Sequence, residues 1–187
     1  MIKKSPELLA QLIAGIFKRD HVQNNSDSMS ETYVHNMYTI YDKAHFCPTE
    51  DNGEVSEEKL EQWIVRFKEL LEKNDQISLF SSVLGRLFSF SPIGKDGHEP
   101  CEAVRMMIEK YGDDTMINRY KSSVYNRRGV FSPSAGKEEM RMAEEFKANA
   151  DYLVSHYPVT ARIFYGLFDI YKRESERERK DAENGWY

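Results

Sequence analysis

The chain has 187 residues, 40% of them apolar and 30% charged, with a formal net charge of −5. That balance suits a soluble chain with one packed domain or two small helical halves, and it excludes an overall cationic field for nucleic acid. No run approaches the roughly 18 apolar residues of a membrane span, so no membrane partner is expected.

Lys3 and Lys4 precede an apolar stretch, Leu8 to Phe17, in the manner of a signal peptide. Glu7, Gln11 and the charged Lys18-Arg19-Asp20 oppose that reading, and no small-residue cleavage site follows. The stretch reads as a helix instead. Ser5 supplies the N-cap and Pro6 the first helical position, and Leu8, Leu9, Leu12, Ile13, Ile16 and Phe17 form a stripe at helical spacing. Residues 20–29 are polar and read as a loop. Ser28-Met29-Ser30-Glu31 is a capping-box pattern for a second helix, with Tyr33, Met37, Ile40, Tyr41 and Ala44 on one face.

That helix ends before Pro48, and Asp51-Asn52-Gly53 signals a turn. Ser56 caps a third helix that buries Leu60, Trp63, Ile64, Phe67, Leu70 and Leu71, with Val55 and Leu60 spaced as a hydrophobic staple. Asp75 is expected to cap a fourth, carrying Ile77, Phe80, Leu84, Leu87 and Phe88. A loop, Ser91-Pro92-Ile93-Gly94-Lys95-Asp96-Gly97, leads to a fifth helix from Pro100 to Gly112. Asp113-Asp114 open a sixth, which meets a left-handed stop at Gly129. The seventh runs from about Glu138 to His156, and Pro158 opens the eighth. From Lys172 to Glu183 the eighth is almost wholly charged, with i,i+4 pairs that let it stay helical while projecting into solvent.

No stretch alternates with period two. The expected fold is therefore all-α: an irregular bundle of about eight helices, the last two forming a long helical hairpin, with parts 1–90 and 91–187 sharing one core. The last two helices are similar to a tetratricopeptide hairpin, but one pair does not make a solenoid.

From about Glu61 to Glu183 the residues Gly85, Pro92…Asp96-Gly97…Pro100, Val104-Arg105…Ile108-Glu109, Asn126-Arg127-Arg128-Gly129-Val130, Gly136…Glu139, Tyr157-Pro158…Thr160-Ala161 and Tyr171 follow one another in a characteristic order. In this the chain resembles a helical segment at the C-terminal ends of large bacterial proteins of unassigned function. The resemblance implies an accessory or interaction module in the bacterial cytoplasm, and it implies no catalytic residues.

Tyr125-Asn126-Arg127-Arg128-Gly129-Val130-Phe131 holds the densest polar motif. Two guanidinium forks at a turn can grip carboxylate or phosphate bidentately. They also suit a helix C-terminus, where cations complement the dipole and can reach back to carboxylates such as Glu109 or Glu139. Asn126, Arg127, Arg128, Lys137 and Arg141 are thus the candidate contacts to an acidic partner or a phosphate. Arg119, Lys121 and the interleaved Tyr120 and Tyr125 extend the segment 119–141 as a candidate nucleic-acid surface. Trp186 and Tyr187 are candidate anchors in a partner's pocket.

His45-Phe46-Cys47 and His98-Glu99-Pro100-Cys101 contain a Cys₂His₂ inventory, but the spacing is unlike that of a zinc finger, and no metal is expected. Two cysteines cannot build a disulfide framework, and a reducing compartment is the simpler expectation. Asp96-Gly97-His98-Glu99 offers acid–base groups but reads as a turn. There is no nucleophile elbow, glycine-rich phosphate loop or His-Glu-x-x-His helix, so neither an enzyme nor a cofactor is expected. The leading expectation is a non-enzymatic protein–protein interaction or assembly module, by self-association or with another protein. A nucleic-acid-binding accessory is the alternative.

Overall fold

Ser5, Ser30, Ser56 and Asp113 each accept a backbone N–H three residues ahead, and each opens a helix. The computed structural model describes residues 2–21, 30–129 and 134–184. Among these the chain forms α1 (Pro6–Ile16), α2 (Glu31–Lys43), α3 (Glu57–Lys73), α4 (Phe80–Phe88), α5 (Glu102–Tyr111), α6 (Asp114–Arg127), α7 (Lys137–Leu153) and α8 (Pro158–Glu183). Single 3-10 turns lie at Ile2–Lys4 and Ile77–Leu79, and the described residues contain no strand. The fold is all-α. None of these helices is long and apolar enough to cross a membrane.

By internal contacts the chain divides into residues 1–104 and 105–187, with the boundary inside α5 between Val104 and Arg105. In the first unit α1 packs on α2 and α3, and Leu9, Leu12, Ile13, Leu60, Ile64, Phe67 and Leu71 are buried. Arg86 of α4, itself buried, donates to the carbonyls of Tyr41 (2.8 Å) and Asp42 (2.7 Å) and lies over the Tyr41 ring. A cation thus occupies the negative end of α2 and ties that helix down by its last turn.

Asp75, expected as the cap of the fourth helix, serves otherwise. It follows α3 in the left-handed region (φ 57°) and turns its carboxylate to His21, accepting the His21 N–H at 3.0 Å and pairing with the ring Nδ1. The amide that needed a cap, that of Ser78, is taken by Asp20 at 3.0 Å. The exit of α1 and the turn before α4 are therefore clasped by two carboxylates. His21 is raised above its ordinary value by its hydrogen bond to Asp75, with Asp20 adding to the effect, and Asp75 is lowered by His21, with Arg19 assisting. The raised histidine contributes below about 6.5 and fades as pH climbs through its folded value; the lowered aspartate contributes above about 3.9 and fades as pH falls. The clasp should be firmest between those limits. A ring titration by NMR should place the His21 midpoint above about 6.5, returning towards it in Asp75→Asn.

In the second unit α8 packs along α7 and against α6. Ile163, Phe164 and Leu167 of α8, Ile117 and Tyr120 of α6, and Ala143, Ala150 and Leu153 of α7 are all buried, and the Phe164 ring lies edge-on to that of Tyr120. Tyr157, the residue before α8, offers no side-chain cap. Glu109 of α5 supplies one, accepting from Val159 N (3.1 Å), Thr160 N (2.8 Å) and Thr160 Oγ1 (2.8 Å). A carboxylate at a positive helix end satisfies donors that would otherwise be orphaned. The charged end of α8 does not simply project into solvent. Tyr171, Ser175 and Glu178, at i, i+4 and i+7, are buried.

Candidate functional site

Helix α6 stops because Gly129 follows it at φ 72°. Arg128, the C-cap, turns inward from that stop. Its Nη2 pairs with Glu139 and its Nη1 lies 3.3 Å from Glu174, while the guanidinium sits 5.3 Å from the centre of the Tyr171 ring. The Arg128 side chain is 9% exposed, and that of Glu139 is 0%. This is a buried ion pair, held by the partners a buried charge requires.

The far side of the corner is tied to the same carboxylates. Glu139 also accepts from Ser134 Oγ at 3.0 Å, and Glu178 accepts the amide of Gly136 at 2.9 Å. Ser175 Oγ donates to the carbonyl of Gly136 at 2.6 Å. Tyr125 donates its hydroxyl to Glu174, which raises the tyrosine's pKa. Burial raises that of Tyr171, whose hydroxyl finds no hydrogen-bond partner among the described residues. Three glutamates, one arginine, two serines and two tyrosines thus join the end of α6, the start of α7 and the second half of α8.

The sequence-derived candidates separate under this geometry. Arg128 reaches inward, to one of the two carboxylates foreseen for it; the other, Glu109, caps α8 instead. Asn126 and Arg127 are exposed, as are Lys137 and Arg141. Arg141 pairs with Glu145 at 2.5 Å along its own helix. Tyr120 is buried edge-on to Phe164, so it offers no face to a base. Trp186 and Tyr187 lie outside the described residues. A groove of about 490 Å³ beside the corner is lined by Asn118, Lys121, Tyr125, Asn126, Ile170 and Glu174. Its Glu174 carboxylate already accepts Tyr125 and Arg128, and works against any second anion there.

Sequence reasoning missed Glu174, Ser175 and Glu178. Their signal was available only as phase: they continue the face of Tyr171 into a stretch whose composition looked wholly solvated. It also missed the buried Arg86, Arg105 and Gln76. Gln76 donates to the carbonyl of Phe17 at 2.7 Å, closing the end of α1.

The remaining candidates resolve as local structure. Among the described residues no group of three or more His, Cys, Asp and Glu side chains is placed to hold a metal. His45 stacks on Phe90, while Cys47 and Cys101 are buried free thiols, and burial pushes the Cys47 thiol up. A raised thiol is a poor nucleophile at neutral pH. In the Asp96–Glu99 loop, Asp96 accepts the His98 amide at 3.0 Å across Gly97, which has φ 82°. That is turn chemistry. Comparison with family models, with curated proteins and with solved structures returned no match in any of the three.

Proposed function

We propose that this chain is a non-enzymatic protein-interaction module of a bacterial cytoplasmic system, and that α2 carries the contact. The observation behind this reading is the exposure of α2. Of its residues only Tyr41 is buried, while Tyr33, Tyr38 and Ile40 are 45%, 50% and 54% exposed. Single exposed apolar residues are ordinary; three large ones on one short helix are not. Alongside them Ile16, Val34, His35 and Tyr38 line a mainly apolar groove of about 790 Å³. Arg86 fixes the last turn of α2, and the helix approaches α1 closely at Gly15, where an added Cβ would lie 3.4 Å from Met37 Cε. The surface is therefore presented on a held element.

A partner helix with its own apolar stripe fits such a surface, with aromatic anchors supplying most of the affinity. The resemblance to accessory segments of bacterial proteins points the same way. The basic segment 119–141 supports a nucleic-acid reading less well, because Arg128 and Tyr120 are turned inward.

A photo-crosslinker at position 40 in cells that make the protein should give one discrete adduct, and the same group at Glu144, an exposed position of α7, should give none. The partner identified, or the second copy, should then bind the purified protein, and Ile40→Glu should weaken it by at least roughly tenfold, or about 1.4 kcal/mol. Equal adducts at both positions, or an unchanged affinity in Ile40→Glu, would sink the assignment to α2.

A further inference from the structure

The turn at residues 50–54 carries a chemistry that its role as a turn does not use. Asn52 and Gly53 are its central residues, at φ 53° and φ 83°, and an isolated antiparallel bridge joins Asp51 to Glu54. Asn-Gly suits such a turn because both positions need positive φ. The same pair also favours attack of the backbone nitrogen on the preceding carboxamide, since glycine puts no side chain beside that nitrogen. Here the approach is open. Asn52 is exposed, and apart from the chain neighbours nothing among the described residues lies within 4 Å of a Cβ added at Gly53.

The proton on that nitrogen is already engaged. The Gly53 N–H donates to Glu50 Oε1 at 2.8 Å, while Glu50 Oε2 takes Lys3 Nζ at 2.6 Å. Lys3, and next the Gly53 amide, hold the Glu50 carboxyl below its ordinary range, so it is ionised at neutral pH. A carboxylate at hydrogen-bond distance from the proton to be moved has the geometry of a general base. Nitrogen and carboxamide belong to adjacent residues, so the reaction is intramolecular and needs no partner. We infer that Asn52 is a self-modifying site, deamidated by the Gly53 nitrogen with Glu50 as the base. Glu50 Oε1 takes the amide proton as the bond from Gly53 N to Asn52 Cγ forms. The proton passes to the departing side-chain nitrogen, which leaves as ammonia, and a cyclic imide remains. Water opens that ring at either carbonyl, giving aspartate or isoaspartate; nothing is oxidised or reduced. Either product adds negative charge to a turn whose three carboxylates, Glu50, Asp51 and Glu54, already occupy Lys3, Lys4 and Lys95. Isoaspartate also lengthens the main chain by one carbon, which breaks the paired Asp51–Glu54 bonds of 2.8 and 3.0 Å. Nothing in this rests on the α2 surface.

The full chain, incubated at neutral pH and then digested, should show a peptide containing residue 52 that gains one mass unit with time, with isoaspartate among the products. Glu50→Gln should slow that gain by at least roughly tenfold, short of the largest effects of a positioned base because a lowered carboxylate is a weak one. A merely structural Glu50 predicts the reverse, since loosening the turn frees Asn52 and Gly53 to reach each other. Asn184-Gly185, the chain's other Asn-Gly pair, is the internal reference in the same digest and should keep its rate in Glu50→Gln. Between about pH 6 and 8 the wild-type rate at Asn52 should stay nearly level, whereas in Glu50→Gln it should climb with hydroxide. No gain at residue 52, an unchanged or faster gain in Glu50→Gln, or the same pH profile in both proteins overturns the inference.

Discussion

Arg128→Ala should destabilise the α6–α8 unit by about 3–5 kcal/mol, the range for removing one partner of a buried pair. Glu139 is 0% exposed and loses its principal counter-charge, and Glu174 loses a contact at 3.3 Å. Arg127→Ala, one residue earlier on an exposed position, should stay within about 1 kcal/mol. Urea unfolding followed by circular dichroism reads the difference, and amide exchange in α7 and α8 places it. A double variant, Arg128→Met with Glu139→Leu, should recover much of the loss, because the desolvation cost of both charges goes with them. A loss below about 1 kcal/mol in Arg128→Ala would mean that the pair contributes no more than a surface ion pair does. The same measurements separate structure from recognition: Asn126→Ala and Arg127→Ala remain folded, and they are the variants in which any contact of this corner with an acidic partner should be sought.

The helices were legible because the chain marks them twice, by apolar spacing and by caps. Ser5-Pro6, Ser56, Asp113 and Pro158 each open a helix where their chemistry says they should. What escaped was decided by partners distant in sequence. Asp75 looks like a local cap, yet Asp20 takes the local amide and frees Asp75 for His21. The end of α8 looks solvated because glutamates and arginines dominate it, while burial there depends on the phase set by Tyr171 and on the small chain segment at Ser134–Gly136. The corner shows both cases at once. The glycine stop at 129 and the pairing of an arginine with Glu139 could be foreseen. Which arginine turns in could not, because that depends on where α8 places Tyr171 and Glu174. The α2 surface was still less visible. A helix with apolar residues on several faces reads as core until one sees that Tyr33, Tyr38 and Ile40 stay about half exposed.

Gly136→Ala should be the most damaging single-methyl change in the second unit. Gly136 precedes α7 at φ 78°, where an L side chain costs roughly 1–2 kcal/mol. Its Cβ would also stand 2.2 Å from the carbonyl oxygen of Ser175, which is backbone in the middle of a helix and cannot swing aside. Relieving that contact by moving α8 away from α7 adds a further 1–3 kcal/mol or so, the usual range for overpacking. The same shift breaks the bond from Ser175 Oγ to the Gly136 carbonyl and the one from the Gly136 amide to Glu178. Gly129→Ala isolates the backbone part: φ is 72°, but nothing among the described residues lies within 4 Å of the added carbon, so about 1–2 kcal/mol is the whole expected cost. Hydrogen exchange should then show lost protection over the first turn of α7 and over residues 171–178 in Gly136→Ala, with Gly129→Ala disturbed only at the end of α6. If the two variants lose equal stability, the close approach of α7 and α8 at Gly136 is not what holds this end of the unit together.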